Sequence, residues 1–298
     1  MSEFQTIGFI GLGVMGEPMC RNLATSLDAK IIGFDKQSEP LQRLAGVGVD
    51  TAGSVAEIAR TADLVLLSLP GSPEVERVCL GDGGIADTAA SGLVVADLST
   101  CAVSTARKVG DALAEKRIAF ADAPVMRTAK AAVEGTLSIC VGGDPALFQR
   151  LKPVLATMGS KVNHAGAIGA GQVIKLLNNM VLTQTLVALA EALTMAQRAD
   201  VDPHVLFDIL SKGSGDSFAL RNHGMKSMLP KTFPRQAYST RYALKDIGYA
   251  LELAAETGVN ARGAELAQTL LSETEALGFG DDYYPALLHA IDDTLDKA

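Results

Sequence analysis

Short aliphatic runs alternate with helical patterns along the first half of the chain. The aliphatic runs predict β-strands at residues 6–10, 31–34, 64–69, 94–97 and 118–120. Between them, Ser54 and Glu57 predict a capping box, and three cap–proline pairs predict helix starts: Ser72–Pro73, Asp144–Pro145 and Asp202–Pro203. Because strands that alternate with helices over short links form βαβ units, the pattern predicts a doubly wound parallel sheet.

The second half of the chain has helical patterns and no convincing strand. The predicted helices cover residues 169–200, 203–211, 241–257, 263–277 and 285–295, and residues 213–240 have the glycines and prolines of a loop. We expect a hinge at residues 163–166, directly before the long helix. The sequence therefore predicts an α/β domain at 1–165 and an all-helical domain at 166–298, joined by a long interdomain helix at about 169–200.

Composition narrows the classes of partner. The 298 residues are 48% hydrophobic, only 5% aromatic and contain no Trp, so the core is aliphatic. The net charge of −8 disfavours nucleic acid and anionic membranes, and an anionic substrate must be attracted by local cations. Four scattered cysteines (Cys20, Cys79, Cys101, Cys140) and four scattered histidines predict reduced thiols in a cytoplasmic protein and no metal site.

One uncharged stretch has the hydropathy of a membrane segment. No charge lies between Lys175 and Glu191, but polar residues interrupt the stretch. It is also shorter than the ~18–20 apolar residues that a membrane span needs. The N-terminus has no basic region before a long apolar run, so no signal peptide is predicted. We therefore expect a buried core helix and no membrane partner.

A glycine-rich turn follows the first predicted strand and opens a helix, with the spacing Gly11-x-Gly13-x-x-Gly16. Gly11 permits the tight turn, Gly13 lets the backbone approach a pyrophosphate, and Gly16 lets the helix pack closely on the strand. The pyrophosphate binds at the helix N-terminus, where unpaired N–H groups favour negative charge. This Rossmann pattern predicts cofactor contacts from the whole turn: Gly11, Leu12, Gly13, Val14, Met15 and Gly16.

Asp35 ends the next predicted strand, nineteen residues after Gly16. A carboxylate at this position accepts hydrogen bonds from the ribose hydroxyls and repels a 2′-phosphate. The predicted cofactor is therefore NAD rather than NADP. Lys36 weakens this preference, because a neighbouring cation tolerates the phosphate. The alternative interpretation is a glycine turn in an unrelated α/β protein.

The predicted long helix begins with an unusual polar set. Lys175 and Asn179 are four residues apart and share a helix face, and Asn178 lies three residues from Lys175. A lysine in an apolar site can exchange its proton near neutral pH, which suits a general acid/base acting on an alcohol or carbonyl oxygen. Asn179 could hold a substrate hydroxyl or carboxylate. The equally open alternative is a snorkelling lysine at a helix start, with asparagines bonded to a neighbouring loop.

Four ordered motifs resemble the β-hydroxyacid dehydrogenase family over essentially the whole chain. They are the glycine turn with Asn22 and Leu23, the loops at 69–70 and 97–100, the run at 169–179, and Lys245 to Gly248. The family includes 3-hydroxyisobutyrate dehydrogenase and tartronate semialdehyde reductase. The resemblance implies that Lys175 is the catalytic acid/base and that Asn179, with Asn178 beside it, binds substrate. It also implies cofactor contacts from four further residues: Leu69, Pro70, Thr100 and Lys245.

Without the family, Lys245 is better interpreted as an ordinary surface partner of Asp246 or Glu252.

The substrate loop departs from the family pattern Asp-Ala-Pro-Val-Ser-Gly-Gly. This chain has Met126, Arg127 and Thr128 in place of the serine and glycines, which is similar to the Arg-Thr of sulfolactaldehyde reductases. Arg127 brings a fixed cation with a fork of donors to the anion site, and Thr128 adds a hydroxyl. The alternative is that Arg127 points to solvent or pairs with Glu134.

Together these features predict an NAD-dependent oxidoreductase that acts on a short anionic aldehyde acid or hydroxy acid, with a carboxylate or sulfonate head. The alternatives are 3-hydroxyisobutyrate dehydrogenase or tartronate semialdehyde reductase activity, and, in another class, a dinucleotide-binding regulatory protein without turnover. An imine reductase shares the architecture but usually lacks the lysine. The long apolar helix predicts a homodimer or homotetramer.

Overall fold

Strands alternate with helices in the first half of the computed structural model, which describes residues 3–235 and 237–294. Internal contacts divide the chain into two units, Met1–Lys175 and Leu176–Ala298. A mostly parallel sheet with flanking helices in the first unit and a helical second unit confirm the predicted fold class. The domain boundary expected between residues 165 and 166 stays a prediction.

The sheet of the first unit has the strand order β3-β2-β1-β4-β5-β6-β8-β7, and β9 also pairs with β8. The strands are β1 (Thr6–Ile10), β2 (Lys30–Phe34), β3 (Val49–Thr51), β4 (Leu64–Leu67), β5 (Val94–Asp97), β6 (Ala119–Asp122), β7 (Val125–Met126), β8 (Leu137–Gly142) and β9 (Gly159–Gly166). The five strands predicted from aliphatic runs are confirmed as β1, β2, β4, β5 and β6.

Both faces of the central strands of the sheet are buried. Along β4, Leu64 and Leu66 pack into one hydrophobic core, whereas Val65 and Leu67 pack into a second core on the other face. Successive residues of a strand point to opposite faces, so a strand covered on both sides is apolar at every position. This is why the sequence shows continuous aliphatic runs here rather than an alternating pattern.

The sheet is mostly parallel, but one end departs from the parallel arrangement that the sequence predicts. Strand β8 runs antiparallel to β6 and β7. Ten residues, 127–136, link β7 to β8, which is fewer than the dozen or more that a parallel crossover needs. The predicted hinge at residues 163–166 is also wrong, because these residues form the end of β9 and pair in parallel with β8.

Eight helices connect the described strands of the first unit: α1 (Gly16–Ser26), α2 (Ser38–Ala45), α3 (Val55–Thr61), α4 (Ser72–Leu80), α5 (Ile85–Thr88), α6 (Val103–Glu115), α7 (Ala129–Val133) and α8 (Pro145–Leu155). Asp144 caps α8 as predicted. Ser54 caps α3, but the Glu57 carboxylate accepts from the Gly53 N–H instead of completing the box. Ser72 is not a cap, since its hydroxyl accepts from the Ala102 N–H of a neighbouring loop.

The regular elements of the second unit, among its described residues, are all helices. After α9 (Ala170–Arg198), which begins in the first unit, come α10 (Pro203–Leu210), a π-helix (Leu220–Met228), α11 (Thr240–Thr257), α12 (Arg262–Thr274), a π-helical turn (Glu275–Phe279), a 3₁₀ turn (Tyr284–Leu287) and α13 (Leu288–Ile291). Asp202 caps α10 as predicted. The core of this unit gathers apolar residues from α9, α10 and the later helices.

Two expectations for the second unit need correction. Residues 213–240 are not loop throughout, because Leu220 and Met228 are buried with Phe207 and draw the segment into a π-helix. The helix expected at 285–295 is a 3₁₀ turn followed by the short α13. It ends where the Asp292 carboxylate binds the Thr294 N–H and pairs with Arg198. Residue 295 lies outside the described residues.

Helix α9 is the one described helix that is long and apolar enough to cross a membrane by length and composition. Its most apolar 18-residue window has a mean hydropathy of 1.4, and 44% of that window is buried within the protein. The core helix of a globular domain has the same profile, so the hydropathy alone is weak evidence for a membrane span.

Candidate active site

The carboxyl ends of β2, β1, β4 and β5 are neighbours in the sheet, and the segment after each carries predicted cofactor residues. Asp35 follows β2, the glycine turn follows β1, Leu69 and Pro70 follow β4, and Thr100 follows β5. The strand order reverses between β1 and β4. In open α/β sheets this switch point is where ligands bind. The structure therefore brings these predicted cofactor residues to one edge of the sheet.

The glycine turn has the backbone geometry that a dinucleotide needs. Gly11 has a φ of +93°, and a side chain there would also overlap the Ser68 carbonyl. A Cβ on Gly16 would overlap the Gly11 carbonyl, whereas a Cβ on Gly13 would meet no protein atom within 4 Å. At the start of α1 the Glu17 N–H donates to the Gly13 carbonyl and the Met19 N–H to the Met15 carbonyl, so the N–H groups left for an anion are those of the glycine turn itself. The turn therefore fits a pyrophosphate, and Gly13 is the point at which its backbone can be approached.

Asp35 fixes the glycine turn from the neighbouring strand. One carboxylate oxygen accepts from the Leu12 N–H at 2.6 Å, and the other accepts from the Gln37 N–H at 2.8 Å. Each oxygen keeps a further lone pair for a ribose hydroxyl. Asp35 is half-buried and Lys36 is exposed. Asp35 therefore shapes the turn, and its predicted contact with the ribose stays a prediction.

The first turn of α9 is held at the same edge of the sheet. The Gln172 side chain donates to the Ser99 carbonyl at 2.8 Å and accepts from the Cys101 N–H at 3.2 Å. The Asp122 carboxylate, at the end of β6, accepts from the Gly169 N–H at 2.6 Å and from the Gln172 N–H at 2.8 Å. Burial raises the pKa of Asp122 to about 6, against the lowering effect of these N–H groups.

Lys175 lies one turn further along α9 and is the last residue of the first unit. It is only 9% exposed, which is unusual for a lysine. The alternative of a snorkelling lysine would place the ammonium in solvent, which disagrees with this burial, and the acid/base role stays a prediction. Four residues on, Asn179 is also buried, whereas Asn178 is exposed.

In the second unit, Asn179 belongs to a buried polar cluster. Its Nδ2 donates to the Asp246 carboxylate at 2.7 Å and to the Tyr238 hydroxyl at 3.3 Å. The Tyr238 hydroxyl donates to the same carboxylate oxygen at 2.7 Å. Burial and the negative charge of Asp246 raise the pKa of Tyr238 well above its usual value. The Asn178 amide donates to the Asn179 side-chain oxygen at 3.0 Å.

Lys245 forms an ion pair with Asp246, with 2.8 Å between Nζ and Oδ1. Asp246 is one of the two partners expected if Lys245 were an ordinary surface residue. The pair is not an ordinary surface pair, because the Asp246 side chain is 3% exposed and the Lys245 side chain 23%. The Lys245 ammonium also lies over the rings of Tyr242 and Tyr249, at 5.8 and 5.1 Å from their centroids. A contact between Lys245 and a cofactor stays a prediction.

Arg127 follows β7 and has a φ of +87°, a region that side chains rarely adopt. The side chain is exposed, and its guanidinium donates to the Thr136 carbonyl at 2.8 Å. Glu134, the alternative partner, pairs instead with Lys130 at 3.7 Å. The positive φ explains why glycine is usual here, and an arginine in this conformation costs about 1–3 kcal/mol of strain. A role for Arg127 in substrate binding stays a prediction. Exposed Thr128 precedes α7 without a side-chain cap bond.

Sequence reasoning missed the supporting residues of the site: Ser99, Asp122, Gln172, Tyr238 and Asp246. A signal existed for Asp122, since an acid at the carboxyl end of a buried strand needs hydrogen-bond donors. Nothing local in the sequence links Tyr238 to Asn179, because their contact joins residues 59 positions apart. Among the described residues, no group of three or more His, Cys, Asp or Glu could hold a metal ion. The four cysteines are buried and free of disulfides.

Two family models match the chain. One describes the NAD binding domain of 6-phosphogluconate dehydrogenase and matches residues 6–166. The other describes the NAD-binding region of NADP-dependent 3-hydroxyisobutyrate dehydrogenase and matches residues 169–291. Together they cover both halves of the chain, with a break directly before α9.

Relatives match over nearly their full length. The chain is 32% identical to 2-(hydroxymethyl)glutarate dehydrogenase of Eubacterium barkeri, over 97% of this chain and 95% of the relative. It is 36% identical to 3-hydroxyisobutyrate dehydrogenase of Pseudomonas aeruginosa, over 89% and 91%. The solved structure of Mycobacterium tuberculosis 3-hydroxyisobutyrate dehydrogenase with L-serine superposes with a TM-score of 0.89 at 32% identity, over 98% and 99%.

Proposed function

Because the chain belongs to the β-hydroxyacid dehydrogenase family and is an NAD-dependent oxidoreductase of hydroxy acids, we propose that Lys175 is its acid/base and that its substrate is a short aldehyde acid with an anionic head. When bound, NADH supplies a hydride to the carbonyl carbon. The observation that carries the proposal is the burial of Lys175 one turn after Gln172, which bonds to the loop at the cofactor edge.

Lys175 moves the proton of the reaction. During reduction the carbonyl oxygen gains negative charge, and the Lys175 ammonium donates a proton to it. During oxidation the neutral amine accepts the proton of the hydroxyl group. Burial strengthens the interaction between the ammonium and the developing charge, because little water screens it. General acid–base catalysis of this kind contributes about 10²–10⁴-fold to a rate.

Arg127 and Thr128 bind the anionic head of the substrate. The guanidinium has five N–H donors and uses one for the Thr136 carbonyl, which leaves a fork for a carboxylate or sulfonate. The strained backbone at Arg127 supports this role, since glycine would relieve the strain at once. A sulfonate has a third oxygen, and the Thr128 hydroxyl is a suitable donor for it. The resemblance to sulfolactaldehyde reductases therefore stays within the proposal.

The two asparagines divide the contacts with the middle of the substrate. Both N–H groups of Asn179 are taken, by Asp246 and Tyr238, so Asn179 contributes its side-chain oxygen as an acceptor. Asn178 keeps one N–H and its own oxygen, and it is exposed. We assign Asn178 as the donor to the substrate and Asn179 as the acceptor that orients a hydroxyl group.

The remaining assignments concern the cofactor and the assembly. We assign the glycine turn, Asp35, Leu69, Pro70 and Thr100 to the NAD site, with Lys36 at its margin, and we include Lys245 among the proposed cofactor contacts. Three residues spaced along α9 expose an apolar stripe: Ile174, Leu177 and Val181. Such a stripe on a long helix is consistent with a homodimer or homotetramer. Four buried cysteines that form no disulfide are consistent with a cytoplasmic enzyme.

A screen of short semialdehydes tests the proposed substrate class. NADH oxidation by the full-length protein is measured with matched carboxylates and sulfonates, and with a neutral aldehyde of the same length. Tartronate semialdehyde joins this panel, and 3-hydroxyisobutyrate and L-serine are assayed in the opposite direction, by reduction of NAD. We expect kcat/KM to be at least tenfold higher for the anionic compounds than for the neutral one, and a preference for one head group identifies that head. Equal kcat/KM for neutral and anionic aldehydes would refute the anionic substrate class.

A further inference from the structure

We propose that Gln172 is a positioning residue that couples the cofactor edge to the acid/base, by fixing both peptide groups of Thr100 to the turn of α9 that precedes Lys175. The proposal rests on the proposed role of Lys175. It assigns to Gln172, whose side chain is fully buried, a function in the hydride-transfer step that acts through Thr100 and Lys175.

The hydrogen bonds of Gln172 enclose Thr100. The Ser99 carbonyl belongs to the peptide group before Thr100, and the Cys101 N–H belongs to the peptide group after it. One carboxamide satisfies both, with its donor on the first and its acceptor on the second. Both peptide groups are buried, since Ser99 is 4% exposed and Cys101 is 0% exposed. The backbone of Thr100 therefore cannot shift relative to α9 without breaking one of these bonds.

Ser99 extends these hydrogen bonds to the loop after β4. The Ser99 hydroxyl accepts from the Leu69 N–H at 2.8 Å, and the Ser99 N–H donates to the Asp97 carboxylate at 2.9 Å. Leu69 and Thr100 are both assigned to the cofactor edge. Gln172 therefore reaches two cofactor segments through Ser99, while α9 carries Lys175 three residues further on.

Asp122 fixes the other side of Gln172. Its carboxylate accepts from the backbone N–H groups of Gly169 and Gln172, so it caps α9 from the end of β6. A Cβ on Gly171 would overlap the Cys140 carbonyl and lie 2.8 Å from the Asp122 carboxylate, so this turn of α9 packs directly against the sheet. The helix start has no freedom to follow a moving loop. Gln172 is then the side chain that fixes the loop to the helix.

This geometry predicts a specific kinetic effect. If Gln172 sets the separation between the hydride donor and Lys175, its loss lowers kcat more than it raises KM, because substrate and cofactor still bind. A misplacement of about 1 Å can lower a rate about 100-fold. A merely structural residue would instead lower the amount of folded enzyme and leave the kcat of the folded fraction unchanged.

The test compares Q172M, Q172E and a control, Q184M. Q172M keeps the shape and removes both hydrogen bonds, and Q184M makes the same change in a half-buried residue elsewhere on α9. We expect kcat per folded enzyme to fall at least tenfold in Q172M, KM to change less than threefold, and the isotope effect with 4-deuterated NADH to rise. Q184M should stay within twofold of the parent enzyme.

Q172E adds a rescue that depends on pH. When protonated, its carboxyl group can donate to Ser99 and accept from Cys101 as the amide does, but when ionised it cannot donate. The neighbouring carboxylates of Asp97 and Asp122 favour the protonated form. We expect kcat of Q172E, relative to the parent enzyme at the same pH, to recover at least fivefold between pH 8 and pH 6. Q172M should show no recovery.

The outcomes separate this inference from the proposed function. If K175A abolishes turnover but Q172M retains parental kcat and isotope effect, Gln172 does not position the reaction and the inference alone is overturned. If Q172M fails to fold, the pH response of Q172E decides the matter, and a flat response contradicts the inference. If K175A keeps normal turnover, the proposed function fails whatever the Gln172 variants show.

Discussion

Asn179 and Asp246 are joined by a 2.7 Å hydrogen bond between two side chains that are both at least nine-tenths buried. The two residues are 67 positions apart, on α9 and α11 of the second unit. Asp246 also accepts from Tyr238 and pairs with Lys245, so a single carboxylate serves three partners. Asp246 therefore orients the proposed substrate acceptor and holds the proposed cofactor lysine at the same time.

Removing the charge of Asp246 tests this arrangement. D246N keeps an oxygen for Asn179 but leaves Lys245 without its counter-charge. We expect the free energy of unfolding in urea to fall by about 2 kcal/mol, less than the 3–5 kcal/mol for breaking a fully buried pair, because Lys245 is partly exposed. Y238F removes one hydrogen bond and should cost about 1 kcal/mol. A D246N protein as stable as the parent would show that the carboxylate charge contributes nothing.

Variants of Arg127 are expected to weaken substrate binding with little change in stability. R127G relieves the backbone strain but gives the unfolded chain more freedom, so the free energy of unfolding should stay within about 1 kcal/mol of the parent value. Loss of a charged hydrogen bond to the substrate should raise KM for anionic substrates about 10- to 100-fold. R127K keeps the charge but loses the fork of N–H donors. Its KM for anionic substrates should lie between the values of the parent and R127G. An unchanged KM in R127G would remove Arg127 from the site.

We expect Asp35 to control the choice between NAD and NADP. D35N keeps one acceptor oxygen for the glycine turn and removes the charge that repels a 2′-phosphate. We expect the ratio of KM for NADP to KM for NAD to fall at least tenfold, since like charges a few ångströms apart repel by about 1–4 kcal/mol. K36Q should shift the ratio slightly the other way. An unchanged ratio in D35N would mean that another residue excludes the phosphate.

His223 should make the protein less stable in acid. Burial lowers the pKa of His223 from 6.5 to about 4, so the folded protein keeps it neutral while the unfolded chain binds a proton below pH 6.5. Its contribution is present above pH 6.5 and is lost progressively towards pH 4, by up to about 3 kcal/mol. The pKa of Asp122 is raised in the folded protein, so protonation of Asp122 favours the folded state as the pH falls. The free energy of unfolding of H223Q should therefore fall less between pH 6.5 and pH 4 than that of the parent. H204Q, at an exposed position, should match the parent.

The central strands and the glycine turn were predictable because their signals are local. Strands buried on both faces must be continuous aliphatic runs, and the turn needs glycine where φ is positive or the backbone is crowded. The strands β3, β7, β8 and β9 were missed for the opposite reason. Each is short, lies towards an end of the sheet or has an exposed face, and its residues follow the register of a neighbour rather than an intrinsic pattern.

The residues of the candidate site also differ in how readily the sequence alone identifies them. Lys175 and Asp35 stand out in the sequence, because a lone charge in an apolar run or an acid at a strand end needs an explanation. Gln172 and Tyr238 do not stand out, since an amide or a phenol is common in many environments. Their importance comes from partners 59 to 73 positions away, which only the folded chain brings near.

The most direct test of the account is the single-turnover rate of hydride transfer in K175A. NADH binding is followed by its own fluorescence, which no tryptophan of this chain disturbs. The account predicts an NADH affinity within about threefold of the parent and a transfer rate about 10²–10⁴-fold lower. A near-parental rate in K175A with NADH bound would contradict the assignment of Lys175 as the acid/base.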